Sequence, residues 1–442
     1  MIHAEVGSGG GRARWTPKQI QVLMLLQMIF IFDGVDMQII AVALPSIVQD
    51  WKLPLSAFGV AMAAGHAGSF AGAPIVGMLA DRWGRKPVII AGALLFGSMT
   101  MLLALARDPF HLVLLRFIAG LGLGGCVPPA LALVTESMPA SRRGLCVALS
   151  MICPPIGIAL AGVLAKTLIP ALGWEGLFFI CGLAPILMAM VLFVFLPESP
   201  AFLALRGGKE QKLVALLKAL ALEMPVPEPR RGHMPFCAAF GTIFAAERRV
   251  AVAGLFTAFF FGYVTVSLVL GWLPAMFTSL GYAHALAATS ISIFSLAGIV
   301  GVLTTGWLIT IYGERLTTNM LIGGGIAAAL LLGLTLPTPD FLPSLTLSSI
   351  VLLSLLGMTM NGLVTALYTG ASSLFPPRVR SSGIGLGSMV GRSGAMFGGL
   401  IGPLAIGDRG PWGFFMVGAL LLALAMLGFN LRRRRLAPSG LA

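Results

Sequence analysis

The sequence predicts an all-α membrane protein with twelve transmembrane helices arranged as two halves of six. Of its 442 residues, 57% are hydrophobic and only 10% are charged, whereas soluble domains carry about 25% charged residues. Apolar runs of about 20 residues, the length that spans a bilayer, recur twelve times, and one long hydrophilic stretch divides them six and six. The chain is therefore expected to lie in lipid, and a soluble protein is excluded.

Each apolar run is long enough to cross a hydrocarbon core about 30 Å thick as a helix. Those of the first half are predicted at 20–48, 56–80, 87–106, 110–135, 145–168 and 175–196. Those of the second half are predicted at 251–277, 286–311, 318–337, 343–369, 381–404 and 412–431. The predicted domains are an N-terminal tail (1–19), a first half (20–199), a linker (200–249), a second half (250–431) and a basic tail (432–442). The linker is expected to hold one short amphipathic helix near 211–222.

Positive charge is concentrated on one predicted side of the membrane. Most of the 29 Lys and Arg residues share a side with the N-terminus, and the exceptions between helices are Lys52, Arg107, Lys166 and Arg409. Cytoplasmic loops carry the excess of basic residues, so both termini are predicted to be cytoplasmic. The net charge of +13 is then explained by topology and anionic lipid headgroups rather than by nucleic acid. The first apolar run is too long for a signal peptide.

Two carboxylates, Asp33 and Asp36, stand inside the first helix in the run IFIFDGVDMQII. A charge near the bilayer centre costs at least a few kcal/mol, so it is rarely present without a role or a partner. The i,i+3 spacing places both on one side of the helix, where ionising both is unfavourable. We predict that this pair takes up a proton during transport. The alternative is a structural pair, in which one caps an unwound turn at Gly34 and the other binds an arginine.

Two arginines are predicted to lie within the membrane, Arg116 early in helix 4 and Arg392 near the middle of helix 11. Arg116 is expected to reach Asp36, either as a structural pair or as a cation that protonation of Asp36 frees for substrate. Arg392 has no obvious acidic partner in the second half, and a guanidinium forms a planar fork that matches a carboxylate. We predict that Arg392 binds an anionic substrate, the alternative being an arginine solvated by water.

Aromatic and amide side chains of helices 7 and 10 complete the predicted substrate site: Tyr263, Asn361 and Tyr368. Aromatic rings stack on a ring substrate, and amide or phenol groups bind a ring hydroxyl. Packing or an interfacial belt is the alternative explanation for each. His66 in helix 2 is a weaker candidate for relaying protons.

The two halves are similar in sequence. GMLADRWGRK (77–86) is echoed by GWLITIYGER (306–315), with Gly84 matched by Gly313 and with Thr310 in place of the aspartate of the first copy. Parallel halves of six helices with a site near the middle of the membrane are a recurrent design of transporters.

These features together resemble the major facilitator superfamily. The resemblance is carried by the six-plus-six pattern, by GxLADRxGRK between helices 2 and 3, and by PESP at 197–200. Within it, DGxD in helix 1, RFIAGLGLGG in helix 4 and GRSGAMFGG in helix 11 resemble the aromatic acid:proton symporters. The resemblance implies import of a small aromatic carboxylic acid, such as a hydroxybenzoate, with protons and by alternating access. It also implies that Arg392, in its GRxGA context, is needed for activity.

The resemblance further implies a cytoplasmic gate at the loop between helices 2 and 3, with its aspartate at the N-terminus of helix 11 (381–383) and its arginine at Glu136. The residues assigned to this gate are Gly77, Asp81, Arg82, Gly84, Arg85, Lys86, Glu136, Arg143 and Arg380. The alternative is that these basic loops only hold the orientation in the membrane.

No enzymatic activity, cofactor or metal is predicted, because the sequence has neither a phosphate-binding GxxxxGK[ST] motif nor a cluster of metal ligands. The driving force is expected to be the proton gradient, and the expected form is a monomer in the bacterial inner membrane. Three alternatives remain: a symporter for aliphatic carboxylates, an exporter of aromatic or drug-like compounds, and a membrane chemoreceptor for aromatic acids. The sequence leaves open which acid is bound, the proton stoichiometry, the direction, and whether Asp33 or Asp36 carries the proton.

Overall fold

A computed structural model describes residues 15–206, 210–222, 243–245, 248–336, 345–375, 380–407 and 410–431. The first four membrane helices are α1 (Pro17–Trp51), α2 (Gly59–Trp83), α3 (Arg85–Leu102) and α4 (Pro109–Glu136). Helices α5 and α6 share the run Ala140–Phe195, and α8 and α9 share the run His284–Thr335. The others are α7 (Arg249–Ser279), α10 (Leu347–Leu374), α11 (Arg380–Ile406) and α12 (Gly410–Leu431).

The described helices account for the twelve predicted spans. Nine helical runs are long and apolar enough to cross a membrane. Two of these, of 56 and 52 residues, are about twice the length that a bilayer needs, and each contains one non-helical residue, Gly173 or Gly313. Dividing them there, and adding the less apolar α2, gives twelve helices. The predicted fold class is therefore confirmed, although several helices extend beyond the predicted limits.

The described part of the linker contains two short helices, Pro200–Arg206 and Glu210–Ala219. The second matches the predicted amphipathic helix and buries Leu213, Leu216 and Leu217. Gln19 of α1 fixes its end by donating a 2.7 Å hydrogen bond to the Leu220 carbonyl. The linker is thus attached to the start of α1 by apolar packing and one buried hydrogen bond.

Helix α1 runs unbroken past Gly34, so the unwound turn considered for this glycine is wrong. A methyl group at Gly34 would lie about 2.0 Å from the Pro154 carbonyl oxygen, and one at Gly157 would lie 2.0 Å from the Ile31 oxygen. Glycine at these positions lets α1 and α5 approach backbone to backbone. The glycine between the two carboxylates therefore serves packing within the first half.

The sequence repeat corresponds to a repeated turn. Gly84 joins α2 to α3 with φ +109°, and Gly313 joins α8 to α9 with φ +76°. Positive φ favours glycine because a side chain there is strained. The predicted match between these two glycines is confirmed by their shared conformation.

Replacing Gly84 with Ala is expected to lower the stability of the protein by about 1–3 kcal/mol. The conformation is strained for alanine, and its methyl group would lie about 2.3 Å from Oε2 of Glu198. The measurement is thermal unfolding of the purified protein in detergent. Gly144→Ala is the matched control, because beyond the neighbouring backbone of its own helix the new methyl group meets no described atom within 4 Å. Equal unfolding midpoints for the two variants would contradict the prediction.

The two halves meet through α1 and α7, α2 and α11, and α5 and α8. We call the end of the bundle where α1 begins the near end, and the end where α1 finishes, at Trp51, the far end. Gln38 donates to the Leu270 carbonyl at 2.8 Å, Ser292 donates to the Ala159 carbonyl at 2.9 Å, and the His284 ring lies 3.3 Å from the Gln49 amide oxygen. Among the described residues, hydrogen bonds between the halves lie from mid-depth to the far end. The halves are therefore closed against each other at the far end.

Candidate functional site

Asp36 and Arg116 form a buried ion pair inside the first half. Arg116 Nη1 lies 3.0 Å from Asp36 Oδ2 and also donates to the Asp36 carbonyl oxygen at 3.0 Å. Thr100 of α3 donates to Asp36 Oδ1 at 2.7 Å. Both charged side chains are 5% exposed, and the guanidinium lies against Gly65, where a methyl group would come within 2.9 Å. The contact expected between α1 and α4 is present, and both carboxylate oxygens of Asp36 have partners.

Asp33 is in a different position from Asp36. Its side chain is half-buried, and it makes no hydrogen bond or ion pair with any residue that the structure describes. The two carboxylates therefore differ in their surroundings: Asp36 lies in the packed interior of the first half with a partner for each oxygen, whereas Asp33 is half-buried and unpaired among the described residues.

Arg392 of α11 reaches across to the first half. Its Nη1 donates to the Ser69 carbonyl oxygen of α2 at 3.2 Å, and its side chain is half-buried. Within the described ranges, no carboxylate lies within 4 Å of its guanidinium. Other N–H groups of this mid-membrane guanidinium have no acceptor among the described residues, so they are available to bind a ligand at the junction of the two halves.

Two predicted aromatic residues meet beside this arginine. The hydroxyls of Tyr263 (α7) and Tyr368 (α10) are 3.1 Å apart, and Tyr368 donates to the Ser388 hydroxyl of α11 at 3.1 Å. The ring of Phe259, fully buried, packs on Tyr263 with centroids 6.3 Å apart and edge-on to Tyr368 at 5.3 Å. Three helices of the second half thus join their hydroxyl groups in one chain. Ser388 was not predicted; its position one helical turn before Arg392 is the signal that marks it.

Asn361 does not join this chain. Its amide nitrogen donates to the Gly357 carbonyl of its own helix at 3.0 Å. The same group packs against Gly298 of α8, where a methyl group would come within 2.4 Å of it. The structure therefore directs Asn361 to the contact between α8 and α10.

His66 links the halves at the same depth. Its Nε2 lies 3.3 Å from the Ser267 hydroxyl of α7, which donates to the Ala395 carbonyl at 2.7 Å. The serine has one proton and uses it on Ala395, so a neutral His66 donates from Nε2 to Ser267. His66 therefore serves as a cross-half contact in this conformation.

The loop between α2 and α3 forms a second polar cluster at the near end. Arg85 Nη2 lies 3.2 Å from Glu136 Oε1 at the end of α4, and Ser199 donates to the other oxygen of that carboxylate. Glu198 accepts from the backbone N–H groups of Arg85 at 2.9 Å and Lys86 at 3.2 Å. A carboxylate at a helix N-terminus is favourable, since the exposed N–H groups carry partial positive charge.

Glu198 and Ser199 were not predicted as site residues, although the PESP motif contains them. The PESP motif indicated only a family resemblance, because nothing in the linear sequence places it beside the α2–α3 loop. The expected bond from an arginine of this loop to Glu136 is present and involves Arg85. Lys86 Nζ donates to the Phe193 carbonyl at 2.7 Å, which ties α3 to the end of α6.

The other gate residues are less connected. Arg82 and Arg143 are exposed, and Arg143 Nε donates to the Met138 carbonyl of the adjoining turn at 3.1 Å. The side chains of Asp81 and Arg380 and the surroundings of Gly77 lie outside the described residues, as does the expected contact between Asp81 and the start of α11.

A groove of about 470 Å³ lies at the far end, between Pro45 and Gln49 of α1 and the segment from Ala275 to His284. None of the predicted site residues lines it. The charged and hydroxyl groups at mid-depth therefore remain the candidate site.

Comparisons with known proteins match most of the chain. Residues 26–399 match the Major Facilitator Superfamily. The gallate transporter of Pseudomonas putida is 32% identical over 431 residues, covering 95% of this chain and 93% of the relative. The 4-hydroxybenzoate transporter PcaK of Acinetobacter baylyi is 31% identical, with 89% and 86% covered. The benzoate transport protein of A. baylyi is 29% identical, with 89% and 84% covered.

Solved structures share the fold at low sequence identity. A bacterial homologue of the human lysosomal transporter Spinster, inward-facing and unoccupied, superimposes with a TM-score of 0.73 at 18% identity, covering 97% of this chain and all of that one. The xylose transporter XylE from E. coli, in a partially occluded inward-open conformation, gives a TM-score of 0.70 at 16% identity, with 92% and 98% covered. The twelve-helix architecture is therefore that of known membrane transporters.

Proposed function

The chain belongs to the Major Facilitator Superfamily, a family of membrane transporters rather than enzymes, and on that premise we propose that it imports small aromatic carboxylic acids together with protons. The observation that carries the proposal is the pair Asp33 and Arg392. Both side chains are half-buried within membrane helices, and neither forms an ion pair among the described residues. The relatives named as gallate, 4-hydroxybenzoate and benzoate transporters support the class of substrate.

Charge balance supplies a reason for coupling. With Asp33 ionised and Arg392 charged, the site is neutral before substrate arrives. A bound carboxylate adds one negative charge in a low-dielectric region, where uncompensated charge is costly. A proton on Asp33 restores neutrality. Substrate and proton therefore favour each other's binding, and each can cross only when the other is bound.

In this proposal, Arg392 binds the substrate carboxylate and Asp33 carries the proton. Asp36 and Arg116 serve as a structural pair that fixes α1 against α3 and α4, because both groups already have buried partners. Tyr263 and Tyr368 contact the aromatic ring. Asn361 is assigned to helix packing rather than to substrate.

Alternating access in this protein would use the near-end cluster of Arg85, Glu136 and Glu198 as part of its gate. We place the near end at the cytoplasm, with both termini there, in a bacterial inner membrane. The division into two halves, a linker and two tails at the limits given above belongs to this proposal, as does action by a monomer. The proton gradient is the driving force, at about 2.3 kcal/mol for each charge and each 100 mV.

Replacing Arg392 with Lys is expected to weaken uptake of the aromatic acid by about ten-fold or more. A lysine keeps the charge but loses the second parallel hydrogen bond to a carboxylate. The measurement is the KM for uptake, since binding is the step affected. Arg249→Lys, at an exposed position at the start of α7, is the matched control and should leave KM unchanged. Unaltered KM in Arg392→Lys would remove this arginine from the substrate site.

The direct test of the proposal is uptake of a panel of radiolabelled acids into proteoliposomes, with and without an inward proton gradient. Gradient-driven accumulation of a hydroxybenzoate or related aromatic acid is expected, and a protonophore should abolish it. Accumulation of aliphatic carboxylates alone would identify a different symporter. Binding without accumulation would favour a receptor, and loss of preloaded acid against its gradient would identify an exporter.

A further inference from the structure

We propose that Ser388 is a specificity-determining residue, and that its hydroxyl binds the ring hydroxyl of an aromatic acid whose carboxylate is held by Arg392. This inference rests on the proposed function. It adds the residue that distinguishes hydroxylated from unsubstituted acids and the position of the hydroxyl on the ring.

The order of donors in the hydroxyl chain leaves one proton unused. Tyr368 donates its proton to Ser388. Since a phenol has one proton, the contact at 3.1 Å between the two tyrosines must have Tyr263 as the donor. Ser388 then accepts from Tyr368, and its own proton has no acceptor among the described residues. The chain therefore ends in a free donor, and successive hydrogen bonds strengthen such a donor by polarisation.

Ser388 and Arg392 lie one helical turn apart on α11. They are four residues apart on α11, so they lie on the same side of the helix and about 6 Å apart along its axis. Both side chains are half-buried, Ser388 contacting Tyr368 of α10 and Arg392 contacting the Ser69 carbonyl of α2. This separation suits a benzene ring with a carboxylate at one end and a hydroxyl at the opposite end.

Gly387 and Gly391, the residues before Ser388 and Arg392, have no side chains, so aromatic rings of α7 can pack directly on the α11 backbone. A methyl group at Gly391 would lie 2.8 Å from the Tyr263 ring, and one at Gly387 would lie 3.1 Å from the Phe259 ring. The α7 aromatic side chains therefore lie directly against α11, next to Ser388 and Arg392. An aromatic wall beside a donor and a cation suits a flat hydroxylated acid.

The test compares uptake of 4-hydroxybenzoate and benzoate by the full-length protein in proteoliposomes. Ser388→Ala is expected to raise the KM for 4-hydroxybenzoate by about five-fold, the worth of one neutral hydrogen bond, and to leave the KM for benzoate unchanged. Tyr368→Phe should shift the ratio of the two KM values in the same direction, because it removes the group that orients Ser388. Ser393→Ala is the matched control on α11, since the Ser393 hydroxyl donates to its own helix at Val390.

The outcomes separate this inference from the function on which it rests. If the wild-type protein accumulates neither these two acids nor any other aromatic acid of the panel, the proposed function fails. If it accumulates them but Ser388→Ala leaves the ratio of the two KM values unchanged, the role of Ser388 is wrong and the symport proposal stands. A wild-type protein that prefers 2-hydroxybenzoate to 4-hydroxybenzoate would overturn the spacing argument.

Discussion

Replacing Asp33 with Asn is expected to abolish accumulation of substrate driven by a proton gradient while leaving the protein inserted and folded. Asparagine has nearly the shape of a protonated aspartic acid but cannot release a proton. The side chain makes no hydrogen bond with the described residues, so the substitution removes no structural contact. Position 33 would then be fixed in its uncharged, substrate-accepting form, and the gradient could no longer perform work.

The measurement that isolates this effect is counterflow. Exchange of labelled for unlabelled acid across the vesicle membrane needs no net proton movement, so Asp33→Asn should retain it. Asp108→Asn is a suitable control, because Asp108 is the exposed N-cap residue of α4 and asparagine caps helices equally well. Full uphill uptake by Asp33→Asn would show that another group carries the proton.

Removing one member of the Asp36–Arg116 pair is expected to have the largest effect on stability. Breaking a buried ion pair from one side leaves a desolvated charge without a partner, at a cost of about 3–5 kcal/mol. Arg116→Gln would leave the Asp36 carboxylate, which is 5% exposed, with Thr100 as its remaining side-chain partner. We expect a large loss of folded protein from the membrane and a lower thermal midpoint in detergent.

A double variant separates structural from transport roles. Asp36→Asn with Arg116→Gln removes both charges, so its stability should be higher than that of Arg116→Gln alone. Arg107→Gln, on an exposed residue of the far-end loop before α4, controls for the loss of a positive charge. If Arg116→Gln were as stable as the wild type but bound no substrate, the arginine would belong to the substrate site, and the competition hypothesis for Asp36 would be favoured.

The two carboxylates of α1 show how far a sequence can define a site. Their i,i+3 spacing predicted two acids on one side of a helix within the membrane. It did not predict which of the two acids is paired. A helix turns by 100° for each residue, so the two side chains point in different directions, and the residues that they meet belong to other helices. The structure supplies Thr100 and Arg116 to Asp36 and leaves Asp33 towards Arg392. The same reason explains why Ser388 and Glu198 were missed.

The number of helices, their order and the repeated turn at Gly84 and Gly313 were determined by the sequence itself. In lipid, every backbone polar group must be paired within its own segment, so a long apolar run forms a helix. The number of residues in the run then gives the length of that helix. Which side chains meet was decided only by the tertiary structure. Helix rotation and the close approach permitted by small residues such as Gly34 and Gly391 set those contacts. These contacts join residues that are far apart in the chain, so no local sequence pattern predicts them.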